Sequence, residues 1–170
     1  ITVTTSSCAE RTRERVNAGS TTQQPTPTRH RWIIDPHDVK SFDRVAPADR
    51  DAVLGLSKVT TGFTFDNDGY LVEVDLQDSN PSNEDLASLA KTTRLEKLNV
   101  WGDNLTDAGL AHLRGLSDLR ELIVGVGVSD EGVAHLAGLQ NLETLVFKGR
   151  RVSDRGLAHL AGLTRQVRKS

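Results

Sequence analysis

Apolar positions from residue 71 onward fall into a repeating rhythm. Leu71-x-x-Val74-x-Leu76 is followed by Leu95-x-x-Leu98-x-Val100, Leu119-x-x-Leu122-x-Val124 and Leu142-x-x-Leu145-x-Phe147, at steps of 24, 24 and 23 residues. The alternation that ends each motif is the two-residue period of a strand with one buried face. A second pattern follows the strands. Leu105-Thr106-Asp107-Ala108-Gly109-Leu110-Ala111-His112-Leu113 returns from Val128 to Leu136 and again from Val152 to Leu160. Thr106, Ser129 and Ser153 stand where a helix N-cap side chain accepts a backbone N–H. Asp107, Asp130 and Asp154 then put a carboxylate in the first turn, suited to the positive helix end. In the first unit, Ser82 and Asp85 have capping-box spacing. Leu110, Leu113 and Leu116 share one helical side, and Gly115, Gly138 and Gly162 are expected to end the short helices in left-handed backbone.

A fixed period of 23 to 24 residues is the signature of a stacked repeat, each unit a strand, a loop and a short helix. Residues 62–170 form the repeat domain, with about four units. It opens on a hairpin: Gly62 to Phe65 and Tyr70 to Leu76 flank Asp66-Asn67-Asp68-Gly69, residue types that tolerate a tight turn. Asp66 and Asp68 also have the start of a calcium-loop spacing, but the twelfth loop position is Gln77, so turn chemistry is the reading. Residues 31–61 carry Trp32-Ile33-Ile34, then Phe42 and Val45, then a helix expected across Ala48 to Ser57 with Ala52, Val53 and Leu56 buried. A stack exposes apolar core at its ends, and this segment reads as the N-terminal cap. Residues 1–30 are rich in Thr, Ser, Arg and Gln. They read as an extended low-complexity arm or linker. Ile1 and Val3 alternate with Thr and are β-prone, so the arm either adds as a strand to a neighbouring subunit or lies on its own domain. Thr164 to Lys169 is too polar to continue the leucine pattern and reads as a polar end or a truncation point.

Strand, short helix, strand, short helix at this period resembles the leucine-rich repeat. The variant it is similar to is the bacterial, planctomycete-like type reading L-x-x-L-x-L, then V-S/T-D-x-G-L-x-x-L. The resemblance covers about residues 62 to 165. It implies an α/β fold: a short right-handed solenoid with parallel strands on the concave face and short helices on the convex face. The family often places Asn or Thr after the strand as a side-chain ladder. Here Ser79, Asp103, Gly127 and Arg150 stand there, so less uniform loops are expected. The resemblance also implies a non-enzymatic protein-binding or assembly module, an extracytoplasmic subunit of a larger complex, secreted, periplasmic or at the cell surface. The alternative is recognition of a small ligand or glycan on the concave face.

Strand alternation exposes Glu73, Asp75 and Gln77, then Lys97, Asn99 and Trp101, then Glu121, Ile123 and Gly125, then Thr144, Val146 and Lys148. Trp101, Ile123 and Val146 are expected to form an apolar spot, with Asn99, Glu121 and Lys148 around it as partner-binding residues. Covering of that spot by the arm or the cap is the competing reading. His112, His135 and His159 occupy one repeat position, but duplication explains them without a metal. His30, Asp35, His37 and Asp38 are the remaining ligand-type cluster, and Asp35 and Asp38 also read as helix caps.

Bulk composition narrows the classes. The formal net charge is -2 over 170 residues, without the basic excess of a nucleic-acid binder. No apolar run is long enough to span a membrane. Cys8 is the sole cysteine, which leaves no intrachain disulfide. A lipid anchor on it is not expected, because Thr5 stands where the usual Leu would be. Neither a catalytic triad nor a phosphate loop is present, so no catalytic residue, cofactor or metal is assigned.

Overall fold

The computed structural model describes residues 30–32, 42–60, 62–125, 127–148, 151–163 and 167–169. Within them the chain is α/β: one mostly parallel sheet with short helices. Strand β1 (His30–Trp32) pairs antiparallel with β2 (Gly62–Phe65), and β2 pairs antiparallel with β3 (Leu71–Leu76). Four parallel strands follow in chain order: β4 (Lys97–Val100), β5 (Glu121–Val124), β6 (Thr144–Phe147) and β7 (Val167–Lys169). The leucine rhythm sets the register. Val74, Leu98, Leu122 and Leu145 are successive partners, as are Leu76, Val100, Val124 and Phe147. All eight side chains are buried, and a slip of one residue would turn every one of them to the other face.

Helix α1 (Arg50–Leu56) precedes the hairpin, and α2 (Asn83–Ala87), α3 (Asp107–Ala111), α4 (Asp130–Ala134) and α5 (Asp154–Ala158) follow successive strands. Five-residue helices do not form alone. Packing holds them: Leu86, Leu110 and Val133 join the strand rungs in one core, together with Leu105, Val128 and Val152 from the loops. Each such side chain stabilises by roughly 1.5–3 kcal/mol.

Helix α1 and the residues just before it add to that core. Ala52, Val53 and Leu56 of α1 are buried with Val45, Phe63 and Phe65, the two rings 6.3 Å apart. Asp49 precedes α1 but does not cap it; Oδ2 accepts the Leu71 N–H at 2.8 Å across to the hairpin. The hairpin turn is as read from the residues, with Gly69 at φ 83°. Asp66 Oδ1 accepts the N–H groups of Asp68 and Tyr70. A clamp not visible in the sequence joins it: Arg94 donates to Asp66 and Asp68 at 2.9 Å each and lies 3.9 Å from the Tyr70 ring centroid.

Side chains stitch each unit to the next. Ser129 donates its N–H and its hydroxyl to Asp107, at 2.8 and 2.6 Å. Ser153 does the same to Asp130, at 2.7 and 2.6 Å. Thr106 donates its N–H to Asn83 Oδ1 and accepts from Asn83 Nδ2. The first-turn acids Asp107 and Asp130 stand at the positive ends of their own helices and also hold the following unit. The glycines three residues after the caps make room. A Cβ on Gly109 would stand 2.6 Å from Asn83 Oδ1, and one on Gly132 or Gly156 would collide with Asp107 or Asp130. The first unit has no preceding acid. There Asp85 occupies the glycine position and takes the Ser82 N–H and hydroxyl itself, at 2.8 and 2.7 Å, the capping box read from the spacing.

One expectation is corrected. Gly115, Gly138 and Gly162 are not left-handed; among the described residues only Gly69 and Asn80 have positive φ. The helix ends tighten instead into right-handed turns, with Leu116, Leu139 and Leu163 donating N–H to the carbonyls of Leu113, Leu136 and Leu160. The polar C-terminal stretch forms the last strand among the described residues: Val167–Lys169 pairs in parallel with β6 at the edge of the sheet. Ladder pairing uses main-chain groups and needs no leucine.

Candidate binding face

Every central strand buries alternate residues against the helices and leaves the others half-exposed, the pattern found for β4, β5 and β6 alike. The half-exposed residues form rows across the sheet. One row runs Glu73, Lys97, Glu121 and Thr144; the next runs Asp75, Asn99, Ile123 and Val146. A third, one residue past the strand ends, runs Gln77, Trp101, Gly125 and Lys148.

Electrostatics organise these rows. Lys97 Nζ lies 2.9 Å from Glu121 Oε2. Asn99 Nδ2 donates to Gln77 Oε1 at 3.2 Å. Lys148 reaches across Gly125 and sets its ammonium 4.7 Å from the centroid of the Trp101 ring. Gly125 has no side chain to stand between them, so its place in the row decides the contact. Such a cation–π pair contributes about 0.5–1 kcal/mol at an exposed site.

The expected site residues thus share one face of the sheet, in adjacent rows. Ile123 and Val146 are direct neighbours beside Asn99. Trp101 stands in the adjacent row, engaged by Lys148, and Glu121 is held by Lys97. Beyond Trp101 a groove of about 390 Å³ is lined by Gln77, Asp78, Asn80, Trp101, Asp103 and Gly125. Asn80 adopts φ 45° there, and its Oδ1 accepts the Asp103 N–H at 3.0 Å. The residue after the strand does ladder to the next unit at this one step, one position later than Ser79. Two polar atoms of the face are enclosed and have no hydrogen-bond partner: Asn99 Oδ1 and Trp101 Nε1.

Other candidates stand apart. His112, His135 and His159 close α3, α4 and α5 and are exposed. Among the described residues no three His, Cys, Asp or Glu side chains gather as a metal site, and no helix is long and apolar enough to cross a membrane. Ile1, Val3, Cys8, Asp35, His37, Asp38 and the side chain of His30 lie outside the described residues. The missed contacts, Lys148 on Trp101 and Arg94 on the hairpin, are long-range; only the alignment of Trp101, Gly125 and Lys148 at one repeat position carried a signal. No family model matches the chain, and no curated protein matches it.

Proposed function

We propose that the chain is a leucine-rich-repeat solenoid acting as a non-enzymatic protein-binding or assembly module outside the cytoplasm, with the helix-free face as its docking surface. The observation that carries this reading is the pair of unsatisfied atoms on β4 and just after it. Asn99 Oδ1 is an acceptor without a donor, and Trp101 Nε1 is a donor without an acceptor. An enclosed polar atom left unpaired costs about 1–3 kcal/mol. A polypeptide backbone carries both complementary groups. An incoming strand or loop that lifts Lys148 from the ring and Gln77 from the Asn99 amide would satisfy both atoms and bury Ile123 and Val146. Trp at the centre of such a surface is the usual anchor of a binding hot spot.

The test is capture from native extract by the immobilised chain, followed by mass spectrometry, with three baits. A partner retained by the wild type, weakened by Trp101→Phe (a smaller aromatic ring kept, the indole N–H removed) and lost with Trp101→Ala supports the reading. Retention unchanged by Trp101→Ala in a folded bait removes the face from the interaction.

The glycan alternative draws support from the amides and carboxylates of the groove beside Trp101. It meets an obstacle in Lys148, which occupies one face of the ring that a sugar would stack on. A glycan array separates the two readings.

A further inference from the structure

Charge is spread unevenly over the helix-free face. Glu73 and Asp75 lie on β3 and Asp78 follows it, while Asp103 and Glu121 stand farther along the stack. The cations of these rows are Lys97 and Lys148. Both are engaged, Lys97 with Glu121 and Lys148 on the Trp101 ring. Among the described residues no ammonium or guanidinium pairs with Glu73, Asp75, Asp78 or Asp103. The acidic excess therefore gathers on the β3 side, and the apolar pair Ile123 and Val146 lies two and three strands away. Between them, in the same row as Asp75, stands Asn99, whose enclosed Oδ1 has no donor. Glu73, Asp75, Asn99 and Ile123 line one pit of about 100 Å³.

We propose that the segment docked on this face is a basic stretch of a partner protein, with an arginine over Asp75 and Asn99 and an aliphatic residue on Ile123 and Val146. The inference rests on the reading of this face as the docking surface and names the chemistry of what docks there. Opposite charge across an interface steers association and fixes its register. A guanidinium presents five donors in a planar fork, enough for a carboxylate of Asp75 or Glu73 and the Asn99 oxygen together, where an ammonium is a single point charge. Strands lie about 4.8 Å apart, which sets the arginine roughly 10 Å from the aliphatic residue. Other segments of the chain match this pattern poorly. Arg11, Arg13 and Arg15 are interleaved with Glu10 and Glu14, and Lys40 follows Asp35 and Asp38. Arg31 is in β1, with β2 between it and β3, and Arg168 and Lys169 are in β7, four strands from β3.

Random peptides displayed on phage are panned on the immobilised full chain and counter-selected on the triple variant Glu73→Gln, Asp75→Asn, Asp78→Asn, whose urea midpoint checks its fold. The recovered peptides should carry an arginine and an aliphatic residue. Made synthetically and used as probes, they should bind the wild type more weakly as salt rises. Affinity should fall about two- to fivefold with Asp75→Asn or Glu73→Gln alone. Replacing the peptide's arginine by citrulline, which keeps the shape and removes the charge, should lower it further. Peptides that lack a basic residue and lose binding with Trp101→Ala overturn the inference and leave the docking face standing. Peptides indifferent both to Trp101→Ala and to the triple variant overturn the two readings together, as does the recovery of none. Arg11, Arg13 and Arg15 changed together to Gln should leave the affinity as it was. A rise would show that the chain's own arginines fill the site, and would overturn the assignment to a partner.

Discussion

The Asp130 carboxylate fills the space that a side chain on Gly156 would need, and the same holds for Asp107 and Gly132. The glycine inside each helix is thus a spatial requirement of the neighbouring unit. It is not a conformational one, because neither glycine has positive φ.

The first prediction separates two kinds of glycine. A methyl at Gly132 meets Asp107 Oδ1 and Val128 Cγ1, the latter at 2.9 Å. Gly132→Ala should cost about 1–3 kcal/mol, the range for overpacking. The cost should shrink in an Asp107→Ala background, where the obstructing carboxylate is gone, so the two changes should be strongly non-additive. Gly115 has nothing within 4 Å of an added Cβ. Gly115→Ala should stabilise by about 0.4–1 kcal/mol through the unfolded chain. Urea unfolding of the four variants checks both; equal effects at the two glycines would show that the stitch is not what requires Gly132.

Those same residues mark what the sequence made legible. The rungs Leu98, Leu122 and Leu145 were readable because burial imposes a strict two-residue period, and Ser82 with Asp85 was readable because a capping box is local. The role of Asp107 was not, because a carboxylate in a first turn suits its own helix and the next unit equally well on paper. Only the fold brings Ser129 within reach. The Lys148–Trp101 contact needed the strand register to align Gly125 between them, and the pairing of β7 leaves no apolar trace because a ladder uses main-chain groups. The face was anticipated as a surface, while its unsatisfied atoms depend on side-chain geometry that no spacing encodes.

The second prediction concerns the stitch itself. Asp107→Ala removes the acceptor for the Ser129 N–H and hydroxyl. The expected loss is about 1–3 kcal/mol, since hydrogen bonds to a charged group are the stronger kind and a half-buried N–H is left unpaired. Ser129→Ala keeps the N–H bond to Asp107 and gives up the hydroxyl, along with its cap to the Glu131 N–H; its loss should be the smaller of the two. Thermal unfolding that ranks Ser129→Ala as the more damaging change would reverse the assignment of Asp107 as the principal partner.

The third prediction addresses the Arg94 clamp. Arg94 spans Asp66 and Asp68 and stacks on Tyr70. A planar guanidinium can do this, and an ammonium cannot reproduce it. Arg94→Lys should therefore recover little of the thermal stability lost in Arg94→Ala. The hairpin amides of Asp68 and Tyr70 should exchange faster with solvent in both variants, while those of β5 remain protected. Uniform loss of protection across the sheet would show that Arg94 acts on the whole stack and not on the hairpin.

The fourth prediction is a pH profile with two opposing limbs. The hydroxyl and N–H of Ser153 hold the Asp130 carboxyl below its ordinary value of 3.8. Burial pushes Asp85 upward, but the Ser82 N–H and hydroxyl and the Lys58 ammonium outweigh it, and its net direction is also down. For both groups the unfolded chain binds a proton more readily than the folded one. Their stabilisation is present above 3.8 and is lost as the pH falls from there through the folded-state value. Asp49 runs the other way. Burial raises it above 3.8, the Leu71 N–H pulls it back, Asp66 adds to the rise and Arg94 opposes it. Its folded form holds the proton more tightly, so its contribution is greatest below 3.8 and declines as the pH rises through the raised folded-state value. Stability should therefore climb with pH from acid toward 3.8 and be blunted above it. Asp130→Asn should flatten the acid limb. Asp49→Asn keeps an oxygen for the Leu71 N–H and removes the buried charge, and should abolish the decline above 3.8. Urea midpoints at closely spaced pH values for the three proteins decide this. An Asp49→Asn profile parallel to that of the wild type would mean that Asp49 titrates in the fold as it does in the unfolded chain.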